Sequence, residues 1–202
     1  MKLFYSAASP FARKVWAQAL ENGLGDRLTV VPAAVSPVSR DKSIVDVNPS
    51  GKIPTLVTEE GEAVYDSRVI CEYLDSIASG AKMFPAGRGR WKALVLQSLA
   101  DEALDAALLA RYETVLRPEH LRWPEWRAGQ MDKITSSFDT LEQNWTGYLA
   151  GHVDIGVIAA GCLCGYLDFR FPDYDWRKDH PKVAAWYESF STRPSMVATA
   201  PK

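Results

Sequence analysis

Cysteine is scarce in this 202-residue chain: only Cys71, Cys162 and Cys164 are present. The count is odd and each sits in an apolar pattern. A disulfide framework is therefore excluded, and a reducing compartment, the cytoplasm, is expected. Cys162 and Cys164 lie two apart in a helical pattern, so they face different sides and have no His or Cys partner close in sequence. The only histidines, His120, His152 and His180, show no ligand spacing, so no metal is expected. An excess of either charge is also missing. With 23 Lys and Arg against 25 Asp and Glu, the net charge of −2 leaves no basic footprint for nucleic acid. No apolar run approaches the roughly 18 residues of a membrane span. The opening "MKLFYSAASP" lacks an apolar stretch followed by a small-residue cleavage site, so no signal peptide is expected. Internal repeats and low-complexity tracts are absent.

What is present suits a packed soluble protein, with 47% apolar and 24% charged residues and seven tryptophans for a core and a cleft wall. The pattern divides into two halves. In the first, "KLFY" (2–5) predicts a buried strand, and Phe11, Val15, Trp16, Ala19 and Leu20 recur at helical spacing up to a stop at Asn22-Gly23. "LTVVPAAV" (28–35) predicts a strand, which Pro32 places at or near a sheet edge. A short helix is expected over 39–48, then the loop "NPSGKIP" and a hairpin of "TLVT" and "AVYD" around "EEGE". A helix from Ser67 follows, with Val69, Ile70, Tyr73, Leu74 and Ile77 on one face. The order is βαβ-α-ββα over residues 1–78.

Residues 79–90, "SGAKMFPAGRGR", predict a linker by composition, and no strand signal follows it. From 91 to 202 the chain reads as all-helical. Leu96, Leu99, Ala103, Leu104, Ala107 and Leu108 mark a long amphipathic helix over 91–117, stopped by Pro118. Met131, Ile134, Phe138, Leu141 and Trp145 mark a second. "DIGVIAAGCLCGYLDF" (154–169) is apolar nearly all round, the pattern of a central buried helix. Val183, Trp186, Tyr187 and Phe190 mark one more, ending before Pro194.

The junction Ser9-Pro10 carries the first functional signal. Ser favours the N-cap and Pro the first helical position, so capping alone accounts for the pair. Its place after the first strand of a βαβ unit adds a second reading. A helix start there presents free N–H groups and partial positive charge, which stabilise an anion. Thioredoxin-like redox proteins place Cys-Pro-x-Cys at this junction. Here the four places read Ser9-Pro10-Phe11-Ala12, so disulfide exchange is excluded. A hydroxyl in the nucleophile's place can donate a hydrogen bond to a thiolate that arrives with a ligand. No His or carboxylate in the motif could serve Ser9 as a base.

Four stretches, "SPFARKV", "NPSGKIPTLV", "YDSRVICEYLD" and "DIGVIAAGCLCGYLDFR", together resemble the bacterial glutathione S-transferases of the serine-type, theta/zeta-like group. The resemblance covers essentially the full length. It implies a thioredoxin-like N-terminal domain, an all-helical C-terminal domain, a homodimer, and glutathione as co-substrate with a small electrophile. Ile53-Pro54 would be the family's cis peptide, whose outward Ile53 N–H and C=O pair with a peptide-like ligand as an added strand. A trans proline in an ordinary loop is the plain alternative. Ser67 would hold the γ-glutamyl carboxylate at a helix start, and Asp66 the ammonium; as plain structure, Ser67 would be an N-cap. Lys52 would meet the glycyl carboxylate, with Arg40 and Lys42 as rivals.

The electrophile pocket implied by the resemblance lies in an interdomain cleft walled by Phe11, Arg111 and Tyr112. Asp101 would reach the partner's ligand ammonium, or else be a solvated surface charge. Leu94 and Val95 lie outside the buried stripe of their helix, as expected where a helix also meets a partner. Asp154 begins the core helix. Related proteins carry Ser or Thr three places ahead of it in a capping box, but here that place is Gly151. Three functions fit: a transferase, a glutathione-dependent lyase, isomerase or peroxidase, and a non-catalytic glutathione-binding protein.

Overall fold

The structure, a computed structural model, describes residues 1–201. Its first compact unit comprises residues 1–90 together with the stretch from Pro194 onward, and its second comprises 91–193. In the first unit, strands β1 (Lys2–Tyr5), β2 (Thr29–Pro32), β3 (Thr55–Val57) and β4 (Ala63–Val64) form one mixed sheet in the order β2-β1-β3-β4. β1 runs parallel to β2 and antiparallel to β3, and β3 is antiparallel to β4. Pro32 ends an edge strand, where a missing N–H costs no ladder bond. Helix α1 (Pro10–Glu21) stops at Asn22, and Gly23 takes the left-handed conformation with φ +71°. Helix α3 (Ser67–Ile77) packs beside α1, and together with the short α2 (Lys42–Val45) they complete the expected βαβ-α-ββα order.

Three sequence expectations change here. The helix expected over 39–48 shrinks to α2. Asp41 caps it by accepting from Ser43 N at 2.9 Å, while Asn48 Oδ1 accepts from Ser50 N and Oγ and turns the chain into a loop. Residues 79–84 are anchored to the first unit. Met83 and Phe84 are buried, and Asp75 Oδ1 accepts from both Met83 N and Asn22 Nδ2. Polar composition around two apolar anchors gave this segment the look of a linker. The stretch from Pro194 belongs with the first unit, although the all-helical domain was expected to run to 202. Helix α10 (Pro194–Ala198) supplies the Met196 carbonyl that accepts from Arg13 Nη2 at 3.1 Å, and Ser195 Oγ donates to Glu21 Oε1 at 2.6 Å.

The second unit is helical throughout, beginning within α4 (Arg88–Val115). Helix α5 (Pro124–Thr140) passes through a wider turn at Leu141–Trp145 into α6 (Thr146–Leu149). Helix α7 (Ile155–Arg170) is the core helix: every residue from Ile155 to Leu167 is buried. It can lie this close to α4 because residue 156 is glycine. A Cβ there would stand 2.6 Å from the Ala93 carbonyl oxygen and 2.8 Å from Leu96 Cβ. Asp154 caps α7 by accepting from Val157 N at 3.1 Å. Asp154 is itself the N-cap, so no capping box with position 151 forms, and the Tyr148 phenol donates to Asp154 Oδ2. Burial and then the Asp154 carboxylate push the Tyr148 pKa well above its ordinary value, so it stays a donor. Helices α8 (Trp176–Asp179) and α9 (Pro181–Phe190) close the unit.

Candidate functional site

The sheet register gathers the motifs of the first unit. Phe4 lies opposite Thr55, so the C-terminal end of β1 meets the N-terminal end of β3. Leu56 lies opposite Val64, so β4 emerges at that end as well. Ser9, Ile53-Pro54 and Asp66-Ser67 therefore all leave one end of the sheet, within a few residues of β1, β3 and β4. In sequence, Ser9 lies 44 residues before Ile53, and Pro54 lies 12 before Asp66.

Ser9 is the N-cap of α1, with extended backbone (φ −90°, ψ 118°), and Pro10 takes the first helical position. Its Oγ accepts from Ala12 N at 3.2 Å. The cap thus uses an oxygen lone pair and leaves the hydroxyl proton unengaged among the described residues. The side chain is half-buried, as is Phe11 beside it, whose ring lies 5.8 Å from Lys14 Nζ.

The peptide bond Ile53–Pro54 is cis, and both residues are buried. The loop before it is pinned by Asn48, whose Nδ2 donates to the Lys52 carbonyl at 3.1 Å and to Thr55 Oγ1 at 3.0 Å. Lys52 keeps its ammonium at the exposed surface. Of its rivals, Arg40 is engaged, its guanidinium donating to the Pro49 carbonyl beside Gly51, while Lys42 is exposed on α2. A second cis bond, Tyr65–Asp66, precedes α3. No proline marks it, and nothing in the sequence signals it.

The cap of α3 is Asp66, not Ser67. Asp66 Oδ1 accepts from Arg68 N at 2.9 Å, and its other oxygen makes no hydrogen bond among the described residues. Ser67 occupies the first helical position and is buried. Either side chain could accept from a free helical N–H, and it is the extended backbone of Asp66 (φ −85°, ψ −160°) that makes it the cap.

In the helical unit, Arg111 and Tyr112 are half-buried on α4. Arg111 lines a cavity of about 400 Å³ together with Arg127, Met131, Arg170 and Tyr174. Burial raises the pKa of the Tyr112 phenol, and that of Tyr166 is pushed up to about 12. Sequence reasoning missed Arg127 and Arg170. Arg170 stood in plain view as the last residue of the core-helix motif, yet only the fold sets it near Arg111. Asp101 is 2% exposed, so it is no solvated surface charge.

The sequence profile for the glutathione S-transferase N-terminal domain matches residues 8–77, and that for the C-terminal domain matches 124–189. The Escherichia coli K12 protein named "Uncharacterized GST-like protein YibF" is 34% identical over 210 residues, covering 100% of this chain and 98% of its own. A glutathione transferase family member from Pseudomonas fluorescens Pf-5, crystallised with glutathione, is 45% identical with a TM-score of 0.98, over 100% of this chain and 98% of that one. A structure from the same organism with bound S-(propanoic acid)-glutathione is 44% identical with a TM-score of 0.93, over 100% of both chains.

Proposed function

Because this chain belongs to the glutathione S-transferase family, we propose that it binds glutathione at the shared sheet end and that the Ser9 hydroxyl holds the cysteinyl sulfur as thiolate for attack on a small electrophile. The relatives from Pseudomonas fluorescens crystallised with glutathione and with a glutathione S-conjugate support this ligand. The observation that carries the proposal is the state of Ser9: its oxygen serves the helix cap while its proton remains available.

The energetics are adequate. A free thiol with pKa about 8.5 is only about 3% thiolate at pH 7. Lowering that pKa by about two units makes roughly three quarters of it thiolate and requires about 2.7 kcal/mol. A hydrogen bond to a charged group contributes about 1.5–3 kcal/mol, and a helix N-terminus about 0.3–1 kcal/mol. Ser9 acts as a donor, and the thiolate is the nucleophile.

The remaining ligand contacts follow from chemistry. Ile53 pairs with the cysteinyl backbone as an added strand. The γ-glutamyl carboxylate sits at the N-terminus of α3 on Ser67, and the free oxygen of Asp66 takes the ammonium. Lys52 meets the glycyl carboxylate, since Arg40 is committed to the loop. Phe11, Arg111 and Tyr112 face the electrophile. The protein acts as a homodimer in the cytoplasm.

Calorimetric titration with glutathione, followed by conjugation assays on a panel of aryl halides, epoxides, enones and hydroperoxides, tests this reading. Binding with conjugation supports it. Binding without turnover on any class would make the chain a glutathione-binding protein only, and hydroperoxide turnover alone would make it a peroxidase. Absence of binding would remove the proposal.

A further inference from the structure

The cavity in the helical unit carries more charge than its packing explains. Arg111, Arg127 and Arg170 line it, against one acid, the exposed Asp173. A guanidinium is charged at every physiological pH, and its fork of donors matches a carboxylate with two parallel bonds. Among the described residues none of the three makes an ion pair. Arg127 Nε and Arg170 Nε are buried and lack any hydrogen-bond partner. Arg170 rests on the Phe169 ring, its guanidinium carbon 3.8 Å from the centroid, which fixes its plane without neutralising it. Burial, and after it the neighbouring Arg111, disfavours the Arg170 charge. Tyr112 and Tyr166 beside them stay neutral phenols, so they supply no counter-charge. Three like charges held together with unpartnered nitrogens form an unfavourable arrangement that a bound anion relieves. Met131 and Tyr174 add apolar and aromatic surface for an organic body.

We infer that this arginine-lined cavity binds the carboxylate of a small organic acid.

The test uses the intact protein with glutathione present. Benzoate and its neutral isostere benzamide are titrated calorimetrically. Benzoate is expected to bind at least about tenfold more tightly than benzamide. Arg170→Gln and Arg127→Gln are each expected to abolish the preference, with Arg170→Lys restoring only part of it, while glutathione affinity stays at the wild-type value. That unchanged affinity also certifies that the variants fold. Equal binding of benzoate and benzamide, or a benzoate preference that survives both Gln substitutions, would overturn the anion site. Failure of glutathione itself to bind would remove the transferase reading, and the benzoate titration would still decide the cavity.

Discussion

At the residue scale, two side chains hold two jobs each. Ser9 spends a lone pair on the helix and keeps its proton, while Asp66 spends one carboxylate oxygen on Arg68 N and keeps the other. Sequence legibility follows this division. Ser9 could be picked out because Ser-Pro after a strand is both a cap and an anion site. The exchange of roles between Asp66 and Ser67 could not, because either residue caps a helix equally well and the choice rests on backbone geometry. The arginine cavity was half legible: Arg111 was expected, whereas Arg127 and Arg170 come from helices far apart in sequence. For the glutathione contacts, Asp66→Ala and Ser67→Ala are each expected to weaken glutathione about tenfold or more, as the loss of a charge-assisted hydrogen bond implies. The pKa of the bound thiol should shift little, since both residues are assigned to the γ-glutamyl end. Calorimetry on each variant checks this. Affinity unchanged in either one removes that residue from the site.

At the element scale, the helices with strong apolar patterns were legible and the short polar-capped pieces were not. The all-round apolar run starting at Asp154 is α7, buried from Ile155 to Leu167 as its composition required. The 39–48 segment lost most of its expected helix to side chains that bond their own backbone, a competition that propensity does not register. The capping box expected between positions 151 and 154 does not form, because Asp154 itself caps α7 and accepts from the Tyr148 phenol of the preceding helix. Thermal denaturation should separate these effects. Gly156→Ala forces a methyl against the Ala93 carbonyl and is expected to cost about 1–3 kcal/mol. Tyr148→Phe leaves one oxygen of the buried Asp154 carboxylate without its donor and should cost about 1–3 kcal/mol as well. Each kcal/mol should lower the melting temperature by about 2–4 °C in a chain of this length. A wild-type melt for Gly156→Ala would mean that α4 and α7 can move apart freely.

At the scale of the whole molecule, the two halves read from composition correspond to two compact units, but their borders moved. Buried Met83 and Phe84 tie the glycine-rich stretch to the first unit, and Arg13 draws the C-terminal segment to it. Such long-range anchoring leaves no local pattern to read. The proposed dimer belongs to this scale. On α4, Trp91 and Val95 sit one turn apart and are 67% and 57% exposed, while Leu94 is half-buried. Large apolar side chains left open along one helix suit a self-complementary two-fold contact. Light scattering at micromolar concentration is expected to give a mass near 45 kDa, twice that of the 22.4 kDa chain. Trp91→Glu with Val95→Glu should shift it toward the single-chain mass. A wild-type mass near 22 kDa would exclude the dimer.

The most direct measurement of the central claim is an ultraviolet difference titration of glutathione bound to wild-type protein and to Ser9→Gly. Glycine removes the hydroxyl but keeps an acceptable N-cap at a cost of a few tenths of a kcal/mol, so the comparison isolates the proton donated to sulfur. The account predicts a thiolate absorbance that titrates well below the ordinary thiol range in the wild type and about one pH unit or more higher in the variant, with glutathione affinity nearly unchanged. An identical titration in the two proteins would contradict it, and would assign the stabilisation of the thiolate to a group other than Ser9.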